Sequence, residues 1–212
     1  MKKILLNILI KLYKIKNRKI KKLIIKCILK LEGGYFWSSS VRKLYSEYHG
    51  IDIGIGTYGG CFDIDKIPGG TSFGKYCSIA PTIYVFNANH PKDFVSTHPI
   101  FYNPDLKFVK EEKIQRNKLR VGNDVWIGQN VIITSNVSII GDGAIIGAGS
   151  VVTKNVGNYE IIAGVPGRAI GKRFKDETIE KLKNSKWWDL DINCIKEKVN
   201  VFTDVDNIYK LK

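Results

Sequence analysis

The chain has 212 residues, 44% hydrophobic and 25% charged, the balance of one folded domain with appendages and not of a disordered chain. Its four cysteines (Cys27, Cys61, Cys77, Cys194) show no C-x-x-C pairing, which argues against a disulfide scaffold and for a reduced, cytoplasmic protein. The net charge of +14 is uneven: residues 1–30 hold eleven Lys or Arg and no acid, and the other 182 residues carry only +3.

Residues 1–34 form a basic arm. Ile4, Leu5, Ile8, Leu9, Leu12 and Ile15 recur at helical spacing, as do Ile20, Leu23, Ile24, Cys27, Ile28 and Leu31, so one or two amphipathic helices are expected. The apolar run 4–10 resembles a signal peptide, but Lys11 and Lys14 cut it short and no small-residue cleavage site follows. The same interruptions make it too short to span a bilayer. Two roles remain open for residues 1–31: contact with an anionic membrane surface, at the inner face of the cytoplasmic membrane, or packing on the body or a neighbouring subunit. No recognition motif accompanies the charge, so nucleic acid is not an expected partner. Gly33-Gly34 breaks the arm, and residues 38–48 read as a short helix or an extended link.

From Ile55 the chain reads in sixes, with Ile55, Cys61, Ile67, Phe73, Ile79 and Val85 opening successive units. Asp63 and Asp65 fall in an imperfect unit, a place for a bulge or small insertion. Residues 91–120 lack the pattern and predict an excursion from the repeat, the kind of loop that carries function. The clearest array is 121–156. Val121, Ile127, Ile133, Ile140, Ile146 and Val152 open its units, glycine follows four of them, and Ile139 is a one-residue slip. Val125, Val131, Val137, Ala144, Ser150 and Val156 take the fifth place. Such a period predicts an all-β solenoid of short parallel strands, with the opening aliphatics stacked inward about 4.8 Å apart. Glycine suits crowded corners, and Asn123, Asn130, Asn136 and Asn155 suit corners that visit the left-handed region. The solenoid domain is placed at 35–172. Residues 173–212 form a helical cap, with Asp176 capping a helix over 177–184 and Asp191 capping a second.

His49, His90 and His98 are the only histidines. His90 closes the last unit before the excursion, where a rigid scaffold meets an irregular loop, and histidine suits proton removal near neutral pH. Cys61 and Cys77 sit in repeat positions and read as small core residues.

The array, the loop after N-A-N-H-P-K-D, the segments G-N-D-V-W-I-G and G-A-G-S-V-V-T-K-N-V, and the closing A-G-V-P-G-R-A-I resemble the left-handed β-helix, hexapeptide-repeat acyltransferases. K-W-W-D-L-D-I and S-T-H-P-I-F resemble the xenobiotic acetyltransferase branch, which also contains O-acetyltransferases of capsular and lipopolysaccharide sugars. The left hand of the coil is implied by the family and is an exception to the right-handed crossover rule. The resemblance implies acetyl transfer from acetyl-CoA, without a metal, in a homotrimer with sites between subunits. His90 matches the histidine that deprotonates the acceptor hydroxyl for direct attack, with a backbone N–H near a coil corner stabilising the oxyanion, so no cysteine is needed as a nucleophile. Asp93 would hold the loop or orient His90. Trp126 matches a tryptophan beside the pantetheine path, with packing on a neighbour as the alternative. Ala148, Thr153 and Lys154 match the cofactor-contacting run, and Arg168 is a second phosphate contact. Tyr58, in T-Y-G-G, matches the acceptor wall, with core packing as the alternative.

The expected function is O-acetylation of a surface-polysaccharide sugar or its precursor, a reading favoured by the basic arm. Modification of an antibiotic hydroxyl is the alternative, and N-acetylation of an amino sugar a third. A zinc carbonic anhydrase on the same scaffold would need three converging histidines, which these spacings do not provide. A non-catalytic scaffold would leave His90 beside the loop unexplained.

Overall fold

The computed structural model describes residues 2–211, the side chains of Tyr209 and Leu211 excepted. Helices α1 (Lys2–Leu12) and α2 (Arg18–Glu32) make the arm, so the basic segment is two helices, and α3 (Ser39–His49) leads into the body. Asn17 caps α2 by accepting from the Lys19 and Ile20 amides, and Gly33, at φ 79°, ends it. The first coil contains β1 (Asp52–Ile53) and β2 (Tyr58–Gly59), and the second β3 (Thr71–Phe73), β4 (Ser78–Ile79) and β5 (Ile83–Val85). Beyond the excursion come β6 (Leu119–Val121), β7 (Trp126–Ile127) and β8 (Val131–Ile133), then β9 (Ile139–Ile140), β10 (Ile145–Ile146) and β11 (Val151–Val152). Strands β12 (Glu160–Ala163) and β13 (Arg168–Lys172) close the array.

Equivalent strands of successive turns pair in parallel. The sheets run β1-β3-β6-β9, β2-β4-β7-β10-β12 and β5-β8-β11, and only β13 is antiparallel, on the end of the second. Three short strands per turn, each stacked on its equivalent one turn on, make a parallel coil with a single core. The six residues that open the units of 121–156 are at most 2% exposed. In the second sheet Ile79, Ile127, Ile146 and Ile162 stand in one register.

The corner after the first sheet explains the glycines. A Cβ on Gly74 would lie 2.4 Å from the Gly122 carbonyl oxygen, so successive turns approach too closely for any side chain. The residue after each glycine links the turns. Lys75 N donates to Asn123 Oδ1 at 2.8 Å, Asn123 N to Asp142 Oδ1 at 2.6 Å, and Asp142 N to Asn158 Oδ1 at 2.9 Å.

Four details depart from the sequence reading. Ile53, not Ile55, opens the first coil, because Ile53 is the residue in register with Phe73. Val156 does not hold a fifth place: it bridges Ile140 and so opens the next turn only four residues after Val152. Asn155 accepts from the Ser138 and Ile139 amides at 2.8 and 3.1 Å, binding this shortened corner to the slip on the turn before. Leu119 and Arg120 belong to β6 and not to the excursion. In the cap, α4 (Asp176–Ser185) includes Asp176 as its first residue, and that carboxylate pairs with Lys172 at 2.6 Å instead of capping. Asp191 does cap α5 (Ile192–Glu197).

Helix α3 covers the open first coil, with Val41, Leu44 and Tyr45 buried on it and the Tyr45 hydroxyl donating to the Phe62 carbonyl at 2.7 Å. Glu32 joins α2 to α3, accepting from Ser38 Oγ (2.6 Å), Ser40 N (3.1 Å) and Ser40 Oγ (2.7 Å). Burial acts to raise the Glu32 carboxyl, but the hydrogen bonds from Ser38 and Ser40 and the charge of Lys2 outweigh it and hold the pKa below its usual value. A depressed carboxyl stabilises the fold above its unfolded pKa, and that contribution fades as pH falls through the lower folded value. Hydrogen-exchange protection of the Ser40 amide, corrected for intrinsic rate, should therefore persist through the ordinary glutamate range and drop only at more acidic pH. Glu32→Gln should show reduced protection at neutral pH and a flatter pH profile.

Candidate active site

His90 lies at the root of the excursion. The neck of this loop is tied to the coil: Phe86 N donates to Ile133 O (2.9 Å), Asn117 N to Asn87 O (2.7 Å) and Asn117 Nδ2 to Ser135 O (2.9 Å). Within the loop, Pro99–Phe101 and Pro104–Leu106 form single helical turns, and the His98 ring accepts from Ile100 N at 3.3 Å, capping the first. Tyr102, only 6% exposed, anchors the loop. Arg116 makes a forked pair with Glu112 and reaches Asn87 Oδ1 at 3.4 Å.

The His90 ring is exposed, yet one of its nitrogens is fixed. Nδ1 lies 2.7 Å from the Thr97 carbonyl oxygen and 2.9 Å from the Tyr102 hydroxyl. A carbonyl only accepts, so Nδ1 carries the hydrogen, which the Tyr102 oxygen shares. The lone pair then sits on Nε2, the tautomer a general base requires. The Tyr102 ring meets the imidazole edge-on at 5.8 Å. A cavity of about 250 Å³ opens here, lined among others by Asn87, His90, Tyr102, Asn103 and Arg116.

Asp93 makes no contact of its own with the His90 ring among the described hydrogen bonds. It is exposed, and among the described residues no hydrogen bond or ion pair joins the two. The backbone of Thr97 and the hydroxyl of Tyr102 take that place. Neither was found in the sequence, since an irregular loop has no period to relate residues seven and twelve positions away from His90.

The other expected site residues fall on different parts of the prism. Half-exposed Thr153 and exposed Lys154 lie on the corner that follows the third sheet, the same corner from which the His90 loop leaves two turns earlier, roughly 10 Å along the coil. Ala148 is exposed on the preceding corner, beside Gly149, whose φ of 71° and empty surroundings leave a low, smooth wall. A Cβ on Gly128 would lie 2.6 Å from Ala148 N, so the turn beneath is equally bare. Trp126 (56% exposed) and Tyr58 (38%) point outward in one column of the second sheet, with Ser78 between them. Tyr58 is not core; its ring lies 4.7 Å from Phe36. Arg168 is exposed on β13, and its guanidinium donates to the adjacent Gly167 carbonyl at 3.0 Å. None of Tyr58, Trp126, Ala148, Thr153, Lys154 and Arg168 lines the His90 cavity.

Three other titratable groups, His49, Cys61 and Cys77, are structural. His49 Nε2 is 2.8 Å from the Tyr13 hydroxyl, and burial, with Lys21 nearby, lowers its pKa. Burial raises the Cys61 thiol to about 12 and Cys77 to about 11, so neither is a thiolate nucleophile near neutral pH. Among the described residues no three His, Cys, Asp or Glu side chains stand close enough to hold a metal.

A hexapeptide coil interrupted by a loop with a histidine of fixed tautomer at its root defines the class of the hexapeptide-repeat acyltransferases. Comparison with known proteins narrows this. The chain is 40% identical over 148 residues to a probable macrolide acetyltransferase of Lysinibacillus sphaericus, covering 65% of this chain and 79% of that one. It is 39% identical over 140 residues to a chloramphenicol acetyltransferase of Morganella morganii, covering 63% and 64%. It is 43% identical over 136 residues to the virginiamycin A acetyltransferase of Staphylococcus aureus, covering 59% of each. The matched part spans a little under two thirds of the chloramphenicol relative's length. No family model matches the chain. The chain belongs to the hexapeptide-repeat acyltransferases, in the branch that holds these antibiotic acetyltransferases.

Proposed function

We propose that this protein is an acetyl-CoA-dependent O-acetyltransferase that uses His90 as general base on an antibiotic hydroxyl, of the chloramphenicol, virginiamycin or macrolide type. The observation that carries the reading is the fixed tautomer of His90, with Nδ1–H held by Thr97 and the Nε2 lone pair left for a proton. The names of the relatives favour a drug hydroxyl over the polysaccharide sugar expected from the sequence. The surface-polysaccharide precursor stands as a second reading, favoured by the basic arm alone.

Acetyl-CoA would supply the activated acetyl thioester. Small residues at Ala148 and Gly149 leave room for its pantetheine, Trp126 offers an exposed flat face, and Thr153, Lys154 and Arg168 suit its polar and phosphate groups. His90 Nε2 removes the acceptor hydroxyl proton. The Thr97 carbonyl and the Tyr102 oxygen stabilise the imidazolium through Nδ1–H, and the proton on Nε2 is then available to the leaving sulfur. Tyr58 is assigned to the acceptor side, and Asp93 only to the loop.

The coil takes the left hand of its family, and three copies assemble so that the outward column of Tyr58 and Trp126 on one copy faces the His90 loop of the next. The separation of these residues within one chain supports that arrangement. Mixing inactive His90→Ala and Trp126→Ala subunits should then restore part of the activity, which neither has alone.

The test of the main reading is CoA thiol release from acetyl-CoA with a panel of acceptors. Turnover with a drug hydroxyl is expected. Turnover only with oligosaccharides moves the assignment to the second reading, and none with either class sinks both. Tyr102→Phe should lower kcat about fivefold with little change in KM, the worth of one hydrogen bond near 1 kcal/mol.

A further inference from the structure

Helix α1 is apolar on two sides. Leu6 is buried against the body, with Tyr13 just beyond the helix, whereas Ile4, Leu5, Ile8 and Leu12 face away and are 44–66% exposed. Helix α2 repeats the pattern, with Ile24, Ile25 and Ile28 buried and Ile20 and Leu23 left 40% and 60% exposed. One apolar face attaches the arm, and a second faces outward in the midst of lysines. Of the eleven cations in residues 1–30, Arg18 alone makes a salt bridge among the described residues, to Asp65.

We propose that the outward face of the arm docks on the surface of an anionic lipid bilayer, its aliphatic side chains entering the acyl boundary and its lysines meeting the headgroups. Charge decides among the occupants. A second copy of the same face would bring one cation-rich arm against another, with Arg18 alone of each arm's eleven cations in a salt bridge among the described residues, and nucleic acid would leave the exposed aliphatics in water. An anionic bilayer matches both features. Among the described residues no helix is long and apolar enough to cross a membrane, so the arm lies on the surface. The proposal rests on no step of acyl transfer.

Flotation of the full chain with vesicles of phosphatidylethanolamine and phosphatidylglycerol, against phosphatidylcholine vesicles, tests it. The protein should float with the anionic vesicles, less so as salt rises, and not with the neutral ones. Ile8→Glu with Leu12→Glu, exposed positions that leave the buried face intact, should weaken binding at least tenfold, and Lys11→Gln with Lys14→Gln by on the order of tenfold. Circular dichroism checks that both variants fold, and acetyl transfer to a soluble acceptor should be unchanged in both, which separates this proposal from the catalytic one. Equal binding to neutral vesicles, no binding to anionic ones, or a glutamate variant whose oligomer dissociates in sedimentation would each overturn the proposal, the last in favour of a second copy.

Discussion

Replacing His90 with alanine is expected to lower kcat/KM for acetyl transfer by about 10³-fold, inside the range for loss of a positioned general base. The ring is exposed and, among the described residues, bonds only the Thr97 carbonyl and the Tyr102 hydroxyl, so little of the fold depends on it. The thermal midpoint should stay within a few degrees of the parent, a surface change being worth about 0.5 kcal/mol or less. Glutamine at this position offers no basic lone pair and should not restore activity. The measurement is CoA thiol release at saturating acetyl-CoA. Turnover retained by His90→Ala would remove the histidine from the chemistry and the proposed mechanism with it.

The largest effect on stability is expected at Arg42. This side chain is 9% exposed and has no carboxylate partner among the described residues; its guanidinium is held by backbone carbonyls. Nε donates to Gly54 O at 2.9 Å, Nη1 to Tyr35 O and Ser38 O at 2.5 and 2.9 Å, and Nη2 to Thr57 O at 2.8 Å. One side chain thereby joins the segment after the arm, helix α3 and the first coil beside Tyr58. Arg42→Met keeps much of the volume but leaves buried carbonyls without that donor, at about 1–3 kcal/mol for each one orphaned. A loss of about 3 kcal/mol or more is expected, read as a lower urea midpoint at unchanged slope. Arg42→Lys should recover only part, because a single ammonium cannot span a fork of four acceptors. If Arg42→Met is as stable as the parent, the guanidinium is not what holds the end of the coil.

Cys77 shows why a repeat position is informative: it is wholly buried at the fifth place of its unit, since the period sets which residues point inward. Cys61 is wholly buried too, but it does not open a unit: Gly59 is the residue in register with Ile79, and Cys61 lies in the single helical turn Gly60–Phe62. The same logic located the inward stacks and the slip at Ile139. It failed where chain was added or removed outside the period. Ile53 displaced Ile55 because the first coil carries two extra residues, and Val156 moved to an opening place because the corner before it is short. The loop boundary at Leu119 and the place of Asp176 inside its helix were missed because element ends depend on hydrogen bonds that composition does not encode.

The sequence by itself determined the coil, its core columns, the basic arm and the candidacy of His90. Each of these is a local pattern, a period of six, a helical period or a run of charge, and local patterns survive without knowledge of distant contacts. Only the tertiary structure decided which atom of His90 is free, that Thr97 and Tyr102 and not Asp93 hold it, and that Arg42 is caged by carbonyls. It also decided that the expected site residues lie on separate faces of one chain. Those outcomes depend on a loop folding back on its own root and on turns of the coil brought together from far apart in sequence, where no spacing rule relates one residue to another.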